Sequence, residues 1–338
     1  MAAGWWLLVG LLVALATAAW WLYRDPYRLI RAEFARQRLV RGFVRREAVI
    51  DGCRWVHVEG NARDSGAPTL VMLHGYTGSK ENWYRLADAL GRRYRLVAPD
   101  LPGWGESERV AGAGHGFAAQ AGRVAGFLRE VAEGPVVLMG HSMGGGIAAV
   151  VAARHPDLVS HLVLLDAAGV EFAENRFARE VLDGGNPFAV HDADSLERYL
   201  SFLFHRREAR PPMPWPAGPA LIAHRRQEAA FEQAVLDEIG RGEEQFLPGE
   251  EAARIRQPTL LAWGEQDQVI DPGAMGLYAA RIPRAQALLV PDAGHMALLE
   301  APEVVAAAVR SLVEGVDRPA SKDARAGGST GPRTEEAP

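Results

Sequence analysis

Short apolar runs and amphipathic stretches alternate along most of the chain. The apolar runs have the length and composition of buried strands, and they cover Thr69–Leu73, Arg95–Pro99, Val136–Met139, His161–Leu165, Thr259–Trp263 and Gln286–Val290. Between them, apolar residues recur at helical spacing over Trp83–Leu90, Ala121–Val131, Gly276–Ile282 and Pro302–Val313. Because strands that are apolar on both faces and joined by helices form parallel sheets, the pattern predicts an α/β fold with a mostly parallel central sheet flanked by helices.

Two stretches depart from this alternation. At the start, Arg46–Asp51 and Cys53–Glu59 alternate apolar and polar residues around Gly52, which predicts a β-hairpin, and a polar turn follows over Asn61–Pro68. After Gly169 the alternation stops until about residue 258, and helix signals fill the interval. Five prolines between residues 210 and 219 interrupt those helix signals with a loop. The interval therefore predicts an inserted helical lid.

The N-terminal stretch has no charged side chain from Met1 to Tyr23. As a helix, Gly4–Tyr23 is long enough to cross a hydrocarbon layer of about 30 Å, and tryptophan pairs stand at both of its ends, as at membrane interfaces. A signal peptide is the alternative. It is disfavoured because no Lys or Arg precedes the apolar run and bulky residues occupy the place of a cleavage site. The stretch predicts an uncleaved transmembrane helix.

Eight arginines follow between residues 24 and 46. Because basic residues beside a membrane span resist translocation, they predict that the body of the chain lies on the cytoplasmic side, with the periplasmic side as the alternative. A solvated basic helix that only spaces the body from the membrane is compatible with the same residues.

Together these patterns predict six segments. They are a transmembrane anchor (1–23), a basic juxtamembrane segment (24–46), the first part of the core (47–168), the helical lid (169–257), the second part of the core (258–315) and a disordered polar tail (316–338).

Composition excludes several functions. The net charge of −5 over 338 residues gives no reason to expect nucleic-acid binding. Cys53 is the only cysteine, so neither an intramolecular disulfide nor a cysteine metal cluster can form. No metal-binding pattern is present, and Gly144–Gly146 lacks the Lys-Ser/Thr ending of a phosphate loop. We expect neither a metal nor a cofactor.

Ser142 is the candidate nucleophile. It lies in Gly140-His141-Ser142-Met143-Gly144, directly between a predicted strand and a predicted helix. A serine in a Gly-x-Ser-x-Gly turn sits on a sharp bend whose neighbours must lack bulk, so that its hydroxyl stands clear of the backbone.

A serine hydroxyl becomes a nucleophile when a base takes its proton, and a carboxylate orients that base. In hydrolases with a strand-turn-helix nucleophile, the acid and the histidine follow the serine in that order, each after a later strand. Asp267 and His295 meet both requirements, which predicts them as the orienting acid and the base. Asp271 and Asp166 remain rivals to Asp267.

These motifs resemble the α/β-hydrolase superfamily. The resemblance runs from about Arg46 to Val313 with the lid excepted, and it is carried by His74-Gly75, Asp100–Ser107, Gly140–Gly144, Gly264–Asp267 and Gly294-His295. With the apolar N-terminal stretch, the chain looks most similar to membrane-anchored monoacylglycerol lipases and to related bacterial lipases and esterases. The resemblance implies an oxyanion hole made by the backbone N–H groups of Tyr76 and Met143.

Other residues near these motifs have a second interpretation. His74 is expected to shape the oxyanion loop, and His141 to be a packing or pocket-wall residue. Aromatic residues of the lid either line an acyl pocket or hold the lid to the body. The substrate-binding candidates among them are Phe172, Phe177, Phe202, Phe204 and Trp215.

The sequence thus predicts a membrane-anchored serine hydrolase that cleaves carboxylic esters, with monoacylglycerols or similar single-chain lipids as substrates. A carbon–carbon bond hydrolase or an aminopeptidase with the same triad is the alternative within this fold. A lipid-binding protein with an idle triad is the alternative outside enzymes. Haloalkane and epoxide hydrolases are disfavoured because their chemistry uses an aspartate at the position of Ser142.

Overall fold

A central β-sheet organises the protein, whose computed structural model describes residues 2–60, 62 and 66–315. The predicted tail (316–338) and part of the predicted turn over Asn61–Pro68 lie outside the described residues. Within the described part, the sheet has eight strands. They are β1 (Val44–Ile50), β2 (Cys53–Gly60), β3 (Thr69–Leu73), β4 (Arg95–Pro99), β5 (Val136–His141), β6 (Val159–Leu165), β7 (Thr259–Gly264) and β8 (Ala285–Val290).

The strand order is β1-β2-β4-β3-β5-β6-β7-β8. Strands β1 and β2 form the predicted hairpin, and β2 pairs antiparallel with β4. All remaining pairs are parallel. Every residue of β5 and β7 is buried, as expected of central strands covered on both faces. The predicted α/β fold with a mostly parallel sheet is confirmed.

Helices connect the strands and cover the sheet. Helices α4 (Phe117–Val131) and α5 (Met143–Arg154) pack against each other, and α3 (Tyr84–Leu90) packs against α12 (Pro302–Glu314). The predicted helix over Gly276–Ile282 lies instead at Gly273–Ala279, and Asp271 Oδ1 accepts the Gly273 N–H at 2.8 Å where that helix begins. These core helices are α3 (Tyr84–Leu90), α4 (Phe117–Val131), α5 (Met143–Arg154), α10 (Gly273–Ala279), α11 (Ala297–Glu300) and α12 (Pro302–Glu314).

The interval between β6 and β7 is a helical insertion. The side chains of Asn175 and Asp192 cap the first two helices of the insertion. Buried apolar residues of its first three helices pack in the hydrophobic core. The insertion contains α6 (Arg176–Leu182), α7 (Ala193–Leu203), α8 (Ala217–Arg241) and α9 (Leu247–Glu251).

Two helices precede the sheet, α1 (Ala2–Arg24) and α2 (Arg28–Val40). Apart from a few side chains that are not described, α1 leaves most of its large apolar residues exposed. Among the described residues, no helix combines the length and the hydropathy that a membrane crossing requires, so the predicted transmembrane helix is not confirmed. Helix α2 rests on α8 of the insertion, where the rings of Tyr27 and His224 stack 3.9 Å apart. The basic segment is therefore packed on the body.

Candidate active site

Ser142 lies at the sharp turn between β5 and α5. Its backbone is strained, with φ 54° and ψ −121°. A Cβ at Gly140 would lie 2.2 Å from the Gly144 carbonyl oxygen, and a Cβ at Gly144 would lie 2.3 Å from the Leu73 carbonyl oxygen. Only glycine fits at both positions, so Gly140 and Gly144 permit this close turn.

Asp267 and His295 contact each other on the loops after β7 and β8. Nδ1 of His295 lies 2.8 Å from Oδ2 of Asp267, and both side chains are buried. Oδ1 of Asp267 accepts the N–H groups of Val269 and Ile270 at 2.8 and 3.1 Å. With the carboxylate held at both oxygens, the imidazole donates through Nδ1 and presents Nε2 as an acceptor.

Ser142 and His295 line one small chamber of about 20 Å³, together with Gly75 and Tyr76. A volume of this size holds roughly one water molecule. The predicted nucleophile and base therefore line a space fit for a single small group, and the predicted acid contacts the base.

His74 and His141 stabilise the surrounding loops. Nε2 of His74 accepts the Leu101 N–H at 3.0 Å, so its Nδ1 donates to the Gly75 carbonyl oxygen at 2.8 Å. Nε2 of His141 lies 2.8 Å from the His295 carbonyl oxygen. Burial is the main cause that lowers the pKa of His141 to about 3, which keeps this ring neutral and able to donate to that carbonyl.

Tyr76, on the loop after β3, joins the site to the insertion. Its hydroxyl donates to the Glu232 carbonyl oxygen of α8 at 2.7 Å, and its ring packs edge-on against Trp104. The neighbouring Thr77 hydroxyl lies 3.1 Å from the Tyr199 hydroxyl of α7. The loop that carries the predicted oxyanion donor is thus fastened to two helices of the insertion.

An apolar cavity of about 210 Å³ opens at Ser142. Tyr76 and Met143 lie at its wall beside Ser142, and the insertion supplies most of the remainder. Two predicted substrate-binding residues, Phe172 and Phe177, line this cavity. The cavity therefore offers an apolar surface next to Ser142.

A second apolar cavity of about 560 Å³ lies between α2, α7 and the proline-rich loop before α8. It shares the wall residues Asn82, Leu203 and Met296 with the small chamber at Ser142. Phe204 and Trp215 line this cavity and not the first one, and Trp215 is 86% exposed. Four of the five predicted aromatic residues therefore divide between two cavities.

Phe202 has a third position. Its buried ring packs edge-on against Phe177, with the ring centroids 5.4 Å apart, so that it lies behind the wall of the first cavity.

Neither rival acid forms a hydrogen bond with His295 among the described residues. Oδ1 of Asp271 accepts the Gly273 N–H at the start of α10. Asp166 is fully buried after β6, where its Oδ1 accepts the Gly264 N–H at 2.7 Å.

Glu300 is a residue of the site that no sequence motif predicts. Its Oε1 accepts the Gly294 N–H and its Oε2 the Arg206 N–H, both at 2.7 Å, so that it ties the histidine loop to the insertion. A glutamate in a helix five residues after His295 belongs to no short motif, and only the fold brings it to this loop.

Known proteins resemble this chain over most of its length. A family model described as alpha/beta hydrolase fold matches residues 68–302. Lipase 1 of Psychrobacter immobilis is 31% identical over 281 residues, which cover 78% of this chain and 82% of that protein. Monoacylglycerol lipase ABHD6 of Homo sapiens is 26% identical over 277 residues, with 78% and 82% covered. The crystal structure of a membrane phospholipase A, described as a bacterial virulence factor, has a TM-score of 0.81 and 32% identity over 91% of this chain and 98% of that one.

The fold and these similarities define a carboxylic ester hydrolase of the lipase and esterase type. The chain belongs to the α/β hydrolase family. The expectation of a carboxylic ester hydrolase is confirmed.

Proposed function

We propose that Ser142, His295 and Asp267 are a catalytic triad that hydrolyses lipid esters, with monoacylglycerols or similar single-chain esters as substrates. The observation that carries the proposal is the 2.8 Å contact between His295 Nδ1 and Asp267 Oδ2, on loops that converge beside Ser142. A carboxylate in this position fixes the tautomer in which His295 Nε2 takes a proton.

The reaction proceeds in two halves. His295 Nε2 takes the Ser142 hydroxyl proton while Oγ bonds to the ester carbonyl carbon, and the N–H groups of Tyr76 and Met143 hold the oxyanion. The tetrahedral intermediate expels the alcohol, which receives the proton from His295. Water then gives a proton to His295 and attacks the acyl-enzyme, and the fatty acid leaves as Ser142 regains its proton. The small chamber beside Ser142 and His295 has room for that water.

The first cavity supports a single-chain substrate. Phe172 and Phe177 give an apolar wall to the space that begins at Ser142. In this proposal, residues 169–257 form a lid over the two parts of the core, 47–168 and 258–315.

A two-chain lipid ester is a second candidate. The larger cavity under α2 adjoins the chamber at Ser142 and is also apolar, so it offers space for a second chain. The similarity to a protein named membrane phospholipase A favours the same candidate.

We also propose that the N-terminal segment attaches the enzyme to a membrane, with the body on the cytoplasmic side. The exposed apolar side chains of α1 and the arginines of α2 support this proposal, because apolar surface and basic charge both favour anionic lipid surfaces. Flotation of the full chain with vesicles that contain anionic lipid tests it. Recovery in the protein-only fraction at low salt would contradict it.

Competitive labelling tests the substrate class. A fluorophosphonate probe is expected to label wild-type protein and not Ser142→Ala, and monoacylglycerols are expected to slow labelling more than short esters or lysophospholipids. Folded wild-type protein that resists the probe would favour the non-catalytic lipid-binding alternative. Labelled protein that releases no acid from esters would favour carbon–carbon or peptide bond cleavage, which product analysis distinguishes.

A further inference from the structure

Three carboxyl groups surround the loop of His295 in the protein interior. Asp166, Asp267 and Glu300 are all buried, Asp166 with no accessible surface. Across the described residues, no hydrogen bond or ion pair brings a Lys or Arg side chain to any of the three carboxyl groups. Three buried carboxylates that share only one imidazole repel one another, and this repulsion favours a proton on one of them.

The donors around each group identify that carboxyl. Asp267 receives two backbone N–H groups and faces His295, while Glu300 receives backbone N–H groups at both oxygens. Asp166 receives only the Gly264 N–H at Oδ1, and its buried Oδ2 has no donor among the described residues. An ionised oxygen without a donor is costly, whereas a protonated one becomes a donor itself.

We propose that Asp166 is a neutral carboxylic acid whose hydroxyl group donates to the Asp267 carboxylate, and that it is a positioning residue for the triad. This inference rests on the proposed function. Asp166 follows β6, and the neighbouring strand β7 leads to Asp267. Gly264 connects the two residues, because its N–H donates to Asp166 and its carbonyl oxygen accepts the Asp267 N–H.

The electrostatics agree with that arrangement. Burial raises the pKa of Asp166 well above its usual range, and the neighbouring Asp267 and then Glu300 raise it further, against the Gly264 N–H that lowers it. His141, which contacts the His295 carbonyl, is neutral and adds no positive charge. A neutral donor behind Asp267 fixes that carboxylate without adding a second negative charge next to the imidazole.

The pH profile of kcat/KM tests the protonation state. Asp166→Asn replaces one neutral donor with another, so we expect the acid limb of the profile to stay within about 0.2 pH units of wild type. If Asp166 were ionised, Asp166→Asn would remove a negative charge near the imidazolium, and the acid limb would move to lower pH by about half a unit or more. That shift would overturn the proposal.

A second variant tests the hydrogen bond. Asp166→Ala removes the donor, so kcat should fall by about tenfold or more, and the acid limb should move to higher pH because Asp267 binds the imidazolium more strongly without its neutral donor. Asp166→Asn should recover kcat to within about threefold of wild type. Equal losses in both variants, with unchanged melting temperatures, would contradict the assignment.

An infrared spectrum gives a readout without activity. At pH 8 the folded wild type is expected to retain a carboxylic acid C=O band that Asp166→Asn lacks, and its absence from wild type would overturn the inference.

Ser142→Ala separates the two proposals. If Ser142→Ala keeps full activity, the triad fails, whereas an inactive Ser142→Ala with a displaced Asp166→Asn profile leaves the triad and removes only the role of Asp166.

Discussion

Asp267 binds His295 through one carboxylate oxygen, at 2.8 Å, while its other oxygen accepts the N–H groups of Val269 and Ile270. The backbone of the first turn after β7 therefore orients the Asp267 carboxylate, and that carboxylate orients the imidazole ring of His295. In this way, the backbone after β7 helps to set the orientation of His295.

Asp267→Asn should reduce kcat by about 10⁴-fold, because an amide in this place favours the wrong imidazole tautomer. Asp271→Asn is the matched control. It lies four residues away and accepts the Gly273 N–H at the protein surface, so its activity should stay within about twofold of wild type. Ester hydrolysis assays on both variants check the assignment, and a larger loss for Asp271→Asn would move the acid to that residue.

Tyr76→Phe should affect stability more than chemistry. The variant removes the hydroxyl that donates to the buried Glu232 carbonyl but leaves the Tyr76 backbone N–H in place. We expect the free energy of unfolding to fall by about 1–3 kcal/mol and kcat to change by less than about tenfold. Denaturant unfolding and steady-state kinetics measure the two effects. A collapse of kcat without a change in stability would assign the hydroxyl a role in the reaction.

Because the two cavities have different walls, a substitution in each cavity should affect a different class of ester substrate. Leu236→Trp fills part of the first cavity and should lower kcat/KM for long-chain monoacylglycerols more than for short esters. Leu221→Trp fills part of the cavity under α2 and should spare single-chain esters. If Leu221→Trp selectively lowers diacyl-lipid hydrolysis, the two-chain candidate is supported. Equal effects of both variants on every ester would contradict the division.

Asp166 predicts a pH-dependent stability difference. Its pKa is raised in the folded state, so between its unfolded value, near 4, and its folded value the unfolded chain loses a proton that the folded chain keeps. Wild type should therefore lose stability relative to Asp166→Asn as pH rises through this window, by up to about 1.4 kcal/mol per pH unit. Chemical denaturation at pH 5, 6 and 7 measures the difference, and a constant difference would mean that the raised pKa is absent.

The fold of the core could be predicted from the sequence because local sequence patterns determine its strands and turns. Apolar runs predict the strands, the glycines around Ser142 predict the tight turn, and the order of serine, acid and histidine follows from parallel strands that end at one edge. The structure then shows Asp267 and His295 in contact, as that order implies.

Local sequence rules do not determine how the insertion packs on the core. Helical periodicity finds its helices but not which side of Ser142 each one faces, so Phe177 and Phe204 looked equivalent although they line different cavities. The packing of α2 on α8, the loop contacts of Glu300 and the missing donor at Asp166 all depend on long-range contacts between segments far apart in the chain.

The most direct test of the central claim is the rate at which Ser142→Ala hydrolyses a long-chain monoacylglycerol and a short p-nitrophenyl ester. Truncation removes only the nucleophile in a buried turn, so the variant should fold with an unchanged melting temperature and lose about 10³-fold or more of kcat on both esters. A folded Ser142→Ala that hydrolyses either ester at the wild-type rate would contradict the account.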